Sequence, residues 1–377
     1  MTPIEITSRL KKEVLDPMKR DFVHKDEVID LLGVCLVGGE NLFILGPPGT
    51  AKSALVHQLA ARMEGRTFDY LLTRFTEPNE LFGPFDIRKL REGELLTNTE
   101  GMLPEASLVF LDELLNANSA ILNSLLVALN ERVFRRGKET RPLAALMFVG
   151  ASNHLPEDDA LNALFDRFLL RVHCDNVPGE RLQDVLLAGW NLAAGRTAKS
   201  FVHFDELRIV QTALNQVELS AVRQPFTELI HRIQHAGISV SDRRSVKLQR
   251  VIASSALLSG RMEARLSDLW VVRHIWETEE QQEILGGLVD QVIAKETPAN
   301  DDHPRAFPTD GPDPESLARD LAAIAATLEK GLPPEVEKAY LRDRLGILEG
   351  RCQWVKDSSK RDWLSRQLGE LWPKLKS

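Results

Sequence analysis

Residues 41–53 read N-L-F-I-L-G-P-P-G-T-A-K-S, and they constrain the fold more than any other stretch. Leu42 to Leu45 is an apolar run too short for a helix and suited to a buried strand. Gly46, Pro47, Pro48, Gly49, Thr50 and Ala51 turn the chain, and Lys52-Ser53 open a helix that continues through Leu55, Val56 and Leu59. Strand, glycine loop, Lys-Ser and helix, in that order, form a phosphate-binding P-loop. Such a loop points backbone N–H groups at a polyphosphate, and the helix N-terminus adds partial positive charge. Lys52 is expected to reach the β- and γ-phosphates of ATP, and Ser53 to hold Mg²⁺ through its hydroxyl. The common pattern has Gly where this chain has Ala51, and a methyl there is acceptable only with negative φ.

Three further apolar runs follow the P-loop helix at strand length: Thr67 to Thr73, Leu108 to Leu111 and Leu146 to Gly150, with Leu169 to Val172 as a fifth strand. Helical periodicity spans about Ser119 to Glu131 and Asp159 to Phe165. Strands alternating with helices predict an α/β fold, a parallel sheet between helices. Residues 86–105 suggest a β-hairpin insertion, and 133–143 a hairpin with Arg135, Arg136 and Lys138 near its tip. From Pro178 the strand signal stops, and residues 180–295 read as helices only. The expected domains are 1–178 α/β, 179–295 all-α, 296–315 a Pro- and Asp-rich linker without a core, and 316–377 helical. The tryptophans of the tail, Trp354, Trp363 and Trp372, are expected in its core.

Asp112-Glu113 closes the third strand and matches a Walker B site. Asp112 would hold Mg²⁺ through its water shell, and Glu113 would orient or deprotonate the attacking water. Asn153, in G-A-S-N-H-L-P, either hydrogen-bonds the γ-phosphate or its water, or forms a turn before Pro156. Arg167 is either an arginine finger toward a neighbouring subunit or a surface partner of Asp166. Arg171 is placed inside the sheet by strand periodicity. Arg243 opens a helix capped by Ser241 or Asp242 and either touches the γ-phosphate or belongs to a solvated basic turn with Arg244 and Lys247.

A net charge of −8 on a chain of 377 residues argues against a dedicated nucleic-acid binder, which needs a basic face, and leaves room for a local basic patch. Cys35, Cys174 and Cys352 form no C-x-x-C pair, so neither zinc nor a disulfide framework is indicated. No apolar run approaches the roughly 18 residues of a membrane span and no signal-peptide core opens the sequence, so a cytoplasmic protein is expected.

These motifs in this order resemble the AAA+ ATPases of the MoxR family, closest to its RavA (regulatory ATPase variant A) branch. The likeness rests on G-P-P-G-T-A-K-S, T-R-F-T-E-P-N-E-L-F-G-P, G-M-L-P-E-A-S-L-V-F-L-D-E-L, A-S-N-H-L-P, L-F-D-R-F and S-V-S-D-R-R, and covers about residues 20–250. It implies that Lys52 and Ser53 are Walker A, Asp112 and Glu113 Walker B, Asn153 sensor 1, Arg167 the finger and Arg243 sensor 2. It implies that Val23 and His24 cradle adenine, that Ala51 is no departure, and that residues 84–104 and 133–145 are a helix-2 insert and pre-sensor hairpin. It further implies a six-membered ring that remodels a protein partner, often a von Willebrand factor A (vWA) domain protein encoded separately. The RavA branch carries a C-terminal insertion with a β-domain, whereas this tail reads as short and helical. Two other readings share the fold: a nucleic-acid motor using the Arg135–Lys138 hairpin, and a nucleotide-gated scaffold that hardly hydrolyses ATP.

Overall fold

The computed structural model of the chain describes residues 1–136, 139–177, 181–193, 202–307, 335–352 and 358–376, with a few more between 317 and 328. They fall into two compact units, Met1–Ala306 and Phe307–Ser377.

The first unit opens with α1 (Pro3–Leu10), whose Thr2 and Glu5 form a reciprocal capping box, a π-turn (Lys11–Leu15) and α2 (Asp16–Asp21). Helix α3 (Asp26–Gly38) is buried on nearly every side from Val28 onward, which is why it is apolar all round. Left-handed Gly39 stops it. β1 (Leu42–Leu45), α4 (Lys52–Ala61), the short β2 (Met63–Glu64) and β3 (Thr67–Leu71) follow. After them come α5 (Pro78–Phe82), α6 (Ile87–Arg91), β4 (Leu108–Asp112), α7 (Ser119–Glu131), the hairpin β5 (Val133–Arg136) and β6 (Glu139–Pro142), β7 (Met147–Ser152), α8 (Asp159–Phe165) and β8 (Leu170–His173).

Five strands form one sheet in the order β3-β4-β7-β1-β8. All its ladders are parallel, so every strand delivers its C-terminal end to the same edge. β1 lies between β7 and β8 with all four residues buried, as its unbroken apolar run requires. The fold is the expected α/β sheet between helices, followed by helices.

The helical part holds α9 (Leu182–Ala193), β9 (Val202–His203), α10 (Phe204–Ala213), α11 (Ser220–His235), α12 (Asp242–Leu258), a 3₁₀ run Leu266–His274 and α13 (Glu280–Ile293). Three expectations need correction. The helices-only reading from 180 onward missed β9, which pairs in parallel with β2 and, at two residues, is too short to leave a period. The insertion at 86–105 is not a hairpin: a helix, α6, lies within a single antiparallel bridge, Phe85 to Thr97, because Asp86 caps the next residues as a helix N-terminus.

The third concerns the linker, whose first half packs on the helical part. There Asp301 pairs with Arg265 at 2.7 Å, Ser267 donates to Asp302 at 2.8 Å, and His303 stacks on Trp270 at 4.6 Å. Acidic residues that read as solvated chain are partners for arginines laid out before them. Residues 308–315, the rest of the expected linker, lie outside the described residues.

The second unit contains α14 (Glu335–Cys352) and α15 (Ser358–Lys376) around a core that includes Leu317, Leu321, Leu345, Leu348, Leu364 and Leu368. Trp372 packs partly against it and donates to Glu349 at 3.0 Å. Trp363 is half exposed, against the core expectation, and Trp354 lies outside the described residues. Among the described residues no helix is long and apolar enough to cross a membrane.

Candidate functional site

The C-terminal edge of the sheet gathers the polar residues singled out in the sequence. Gly46 leaves β1 and donates its N–H to the Ser152 carbonyl at the end of β7, 3.1 Å away. A Cβ at Gly46 would sit 2.3 Å from the Cys174 carbonyl oxygen, so only glycine fits. Thr50 closes the turn by donating its hydroxyl to the Pro47 carbonyl at 2.9 Å. Gly49 has φ +83° and nothing within 4 Å of where a Cβ would stand, leaving the mouth of the loop open.

Ala51 is where the sequence argument is overturned. Its φ is +72°, in the left-handed region, although it carries a methyl. Left-handed alanine costs on the order of 1–2 kcal/mol, and the surrounding loop holds it there. Among the described residues four non-glycine residues have positive φ: His24, Ala51, Glu113 and Arg132. Three of the four are candidate site residues, as expected where geometry outranks local comfort.

Helix α4 begins at Lys52 with no side-chain cap, so its first N–H groups face the loop. An open glycine cradle at an uncapped helix N-terminus suits a polyphosphate. The Lys52 ammonium is buried and donates to Gly46 O at 2.6 Å, Pro47 O at 3.0 Å and Asn153 Oδ1 at 2.9 Å. Ser53 Oγ donates to Asp112 Oδ2 at 2.7 Å. These hard oxygen donors side by side suit Mg²⁺, which takes few protein ligands and keeps several waters. Among the described residues no cluster of three or more His, Cys, Asp or Glu could hold a metal.

Asp112 uses its other oxygen to accept the Glu113 N–H at 2.9 Å, and Glu113 turns left-handed at φ +50°. Asn153 Nδ2 donates to Glu113 Oε1 at 2.6 Å. One amide therefore bridges Lys52 and Glu113. Because Lys52 only donates and the carboxylate only accepts, the bridge also fixes which way the amide points. Glu113 opens on a cleft of ≈ 300 Å³ that is lined also by Leu71, Thr73, Arg74, Phe75 and Asn116.

Val23 is half-buried and His24 exposed. They reach the loop indirectly: buried Lys25 donates to the Asp175 carbonyl, and the preceding Cys174 backs Gly46 and donates its thiol to Thr50 O at 3.1 Å. Burial pushes the Cys174 thiol above its ordinary pKa, with Lys25 and Lys52 pulling it back. Neither Lys25 nor Cys174 was found from sequence, since each carries no motif of its own.

The arginines stand at the other end of the strands. β1 alone separates the two edges by about 13 Å, at about 3.3 Å per residue. Arg167 precedes β8, and its carbonyl accepts from Asn41 Nδ2 just before β1, at 3.0 Å. Asn41 is fully buried and also accepts from Arg132 at 2.8 Å and Phe148 N–H at 3.2 Å, so it ties Arg167 to the frame. Burial lowers Arg132 to about 10. The Arg167 side chain is 24% exposed and pairs with Asp166 at 2.6 Å.

Arg243 Nη2 donates to Asn130 Oδ1 at 2.9 Å at the end of α7, and Arg243 shares a shallow cleft with Asp166, Arg167 and Lys247. Thus Lys52, Ser53, Asp112, Glu113 and Asn153 are brought together, whereas Arg167 and Arg243 join each other at the opposite edge. Arg171 is fully buried in β8, and its guanidinium donates to Ile275 O at 2.9 Å, Trp276 O at 2.7 Å and Phe165 O at 3.3 Å. Burial, then Arg244, lowers it to about 9.

Comparison with known proteins agrees with this geometry. Residues 8–212 match the family model for the MoxR domain of MoxR–vWA–β-propeller ternary systems, and residues 219–289 match an AAA lid domain. An uncharacterized protein of Methanocaldococcus jannaschii is 35% identical over 273 residues, covering 72% of this chain and 71% of its own. The chaperone MoxR1 of Mycobacterium tuberculosis is 26% identical over 174 residues, 45% of each chain. A crystal structure from Cytophaga hutchinsonii, of a protein assigned as an ATPase, superposes with TM-score 0.63 at 18% identity over 78% of this chain and 96% of that one.

Proposed function

This chain belongs to the MoxR family of AAA+ ATPases, and from that premise we propose that it hydrolyses ATP at a site shared between neighbouring copies of a ring. The observation that carries the proposal is the amide bridge: Lys52, Asn153 and Glu113 are linked in one line, beside the Ser53–Asp112 pair. Lys52 meets the phosphates by exchanging a loop carbonyl for a phosphate oxygen. Ser53 and Asp112 hold Mg²⁺, which when bound neutralises charge on the β- and γ-phosphates. Glu113 orients the attacking water and takes its proton, and Asn153 keeps that carboxylate at a set distance from the lysine.

The finger must come from a second copy, because Arg167 stands at the far edge of its own sheet, with Arg243 beside it. Its ion pair with Asp166 is partly exposed and worth at most about 1 kcal/mol, so the guanidinium is free to exchange partners. Val23 and His24 flank the base. The domain division we favour is 1–178 for nucleotide binding and 179–295 for the lid, supported by the lid match at 219–289.

We take the work done to be chaperone-like remodelling or activation of a protein partner, by six copies per ring. The name of the matched family model supports a vWA domain protein, encoded separately, as that partner. The RavA likeness is carried by the motifs of residues 20–250 alone. A nucleic-acid motor is less well supported. Arg136 stacks on Phe85 at 3.9 Å and donates to Gly83 O at 2.6 Å, and Arg135 pairs with Glu131 at 2.6 Å. These hairpin cations are engaged within the chain. An enzyme fed by ATP belongs in the cytoplasm, the location we propose.

The test is Glu113→Gln. ATP binding is expected to persist while phosphate release falls by a factor on the order of 10² or more. The variant should also trap a vWA partner in the presence of ATP. Phosphate release at the parental rate would sink the mechanism.

A further inference from the structure

Helix α9 is rich in apolar residues yet fully buries none of its side chains. Leu182, Leu186 and Trp190 follow one another at helical spacing and, with Leu187 beside them, are 55–75% exposed. Val185, Ala188 and Leu192 turn the opposite face inward, so the helix is seated on the protein and its apolar stripe points out. An exposed Trp ordinarily buries about 150–250 Å² when covered, and a stripe of this kind marks a contact surface. Its two charges, Arg181 and Asp184, neutralise each other at 2.8 Å.

We infer that the α9 stripe is covered by a second copy of this chain, through the edge that bears Arg167 and Arg243. This rests on the shared-site reading above and adds the surface that brings the finger in. Three observations select that occupant. The chain enters α9 from Cys174 and Asp175, which back the P-loop, and α9 packs beside α2, which leads into Val23 and His24. The stripe therefore flanks the nucleotide edge, where the neighbour's Arg167 must arrive. The arginine edge in turn exposes an apolar side chain, Val246, 64% exposed on the turn of α12 between Arg243 and Lys247. A neutral apolar stripe can approach that cationic edge without like-charge repulsion, while Val246 gives it an apolar seat.

The experiment compares full-length chains by sedimentation velocity with ATP, all in a Glu113→Gln background so that ATP persists. Leu186→Glu with Trp190→Glu is expected to weaken self-association on the order of 30-fold while ATP binding per copy is unchanged. Assembly of this variant at parental concentrations overturns the inference, as does a parent that stays monomeric with ATP. Assembly at parental strength with loss of an added vWA protein also overturns it, by assigning the stripe to that partner.

A separate Arg167→Ala chain, with Glu113 intact, distinguishes the underlying reading: if it assembles and hydrolyses at the parental rate, the shared site fails while the α9 result stands on assembly alone. Should the double glutamate variant not fold, Trp190→Cys combined with Val246→Cys is treated with a short bismaleimide. ATP-dependent covalent dimers and longer ladders support the contact, and their absence overturns it.

Discussion

The two edges of the sheet hold their polar side chains by different means. At the C-terminal edge, Ser53 is bonded to Asp112, and Lys52, besides two loop carbonyls, to Asn153 and on to Glu113, so each of these side chains meets another side chain. At the N-terminal edge, Arg171 donates to three backbone carbonyls, and Arg132 to the Gly39 carbonyl and to Asn41, itself bonded to two further backbone groups. Side-chain pairs at a partly open edge can exchange partners when an anion arrives. Donors buried against carbonyls cannot move without leaving those carbonyls unpaired, at about 1–3 kcal/mol each. The first arrangement suits chemistry and the second suits a frame. Arg167, like Arg243 on the Asn130 side chain, breaks the pattern: it belongs to the framed edge, yet its side chain is partly exposed and held by one carboxylate.

The sharpest way to break the comparison is to remove that exception. Arg167→Ala is expected to lower ATP turnover by ~10³ or more while leaving ATP affinity within a fewfold, as measured by phosphate release and equilibrium binding. A parallel loss of affinity would mean that Arg167 serves its own copy's loop.

Four residues on, Arg171→Met should do the reverse. It strands the Ile275, Trp276 and Phe165 carbonyls, and roughly 3–5 kcal/mol of stability should be lost in urea unfolding. A change in turnover without a change in stability would dissolve the distinction between the edges.

Acid should reach the frame before the site. His274 directly precedes the two residues whose carbonyls Arg171 uses, and burial holds both His274 and His303 at about 4 against 6.5 for the free side chain. Between pH 6.5 and 4 the unfolded chain binds protons that the folded chain refuses. Stability therefore falls with falling pH in that window, by about 3 kcal/mol per histidine, and these groups contribute nothing above it. Unfolding midpoints at pH 7.5, 6 and 5 test this, and His303→Gln should flatten the slope.

The smallest effect is expected at Ala51. Ala51→Gly relieves the left-handed methyl but frees the unfolded chain, so the net gain should lie within about 1 kcal/mol, with turnover unchanged. A clear loss of stability would show that the methyl packs usefully.

Much of the C-terminal edge was legible because its chemistry is contiguous. Gly46 to Ser53 and Asp112-Glu113 carry their geometry in local order, and the strands before them announce burial by unbroken apolar runs. The spacing of Ser119–Glu131 and Asp159–Phe165 likewise reproduced the helices residue for residue. Where the reading failed, the cause was a partner far away in sequence. The acids at 301–302 looked solvated because Arg265 and Ser267 were not known to face them. β9 was missed because two residues show no period without β2 alongside.

By itself, then, the sequence determined which short segments form the glycine loop and carry carboxylates, and that the strands between them lie in a parallel sheet, because those properties are set by neighbours within a few residues. Only the tertiary structure decided that Ala51 is left-handed, that Asn153 joins Lys52 to Glu113, and that Arg167 and Arg243 share the edge opposite the P-loop. Each of these depends on where strand ends meet, and the direction in which a parallel strand carries its termini is a property of the sheet as a whole.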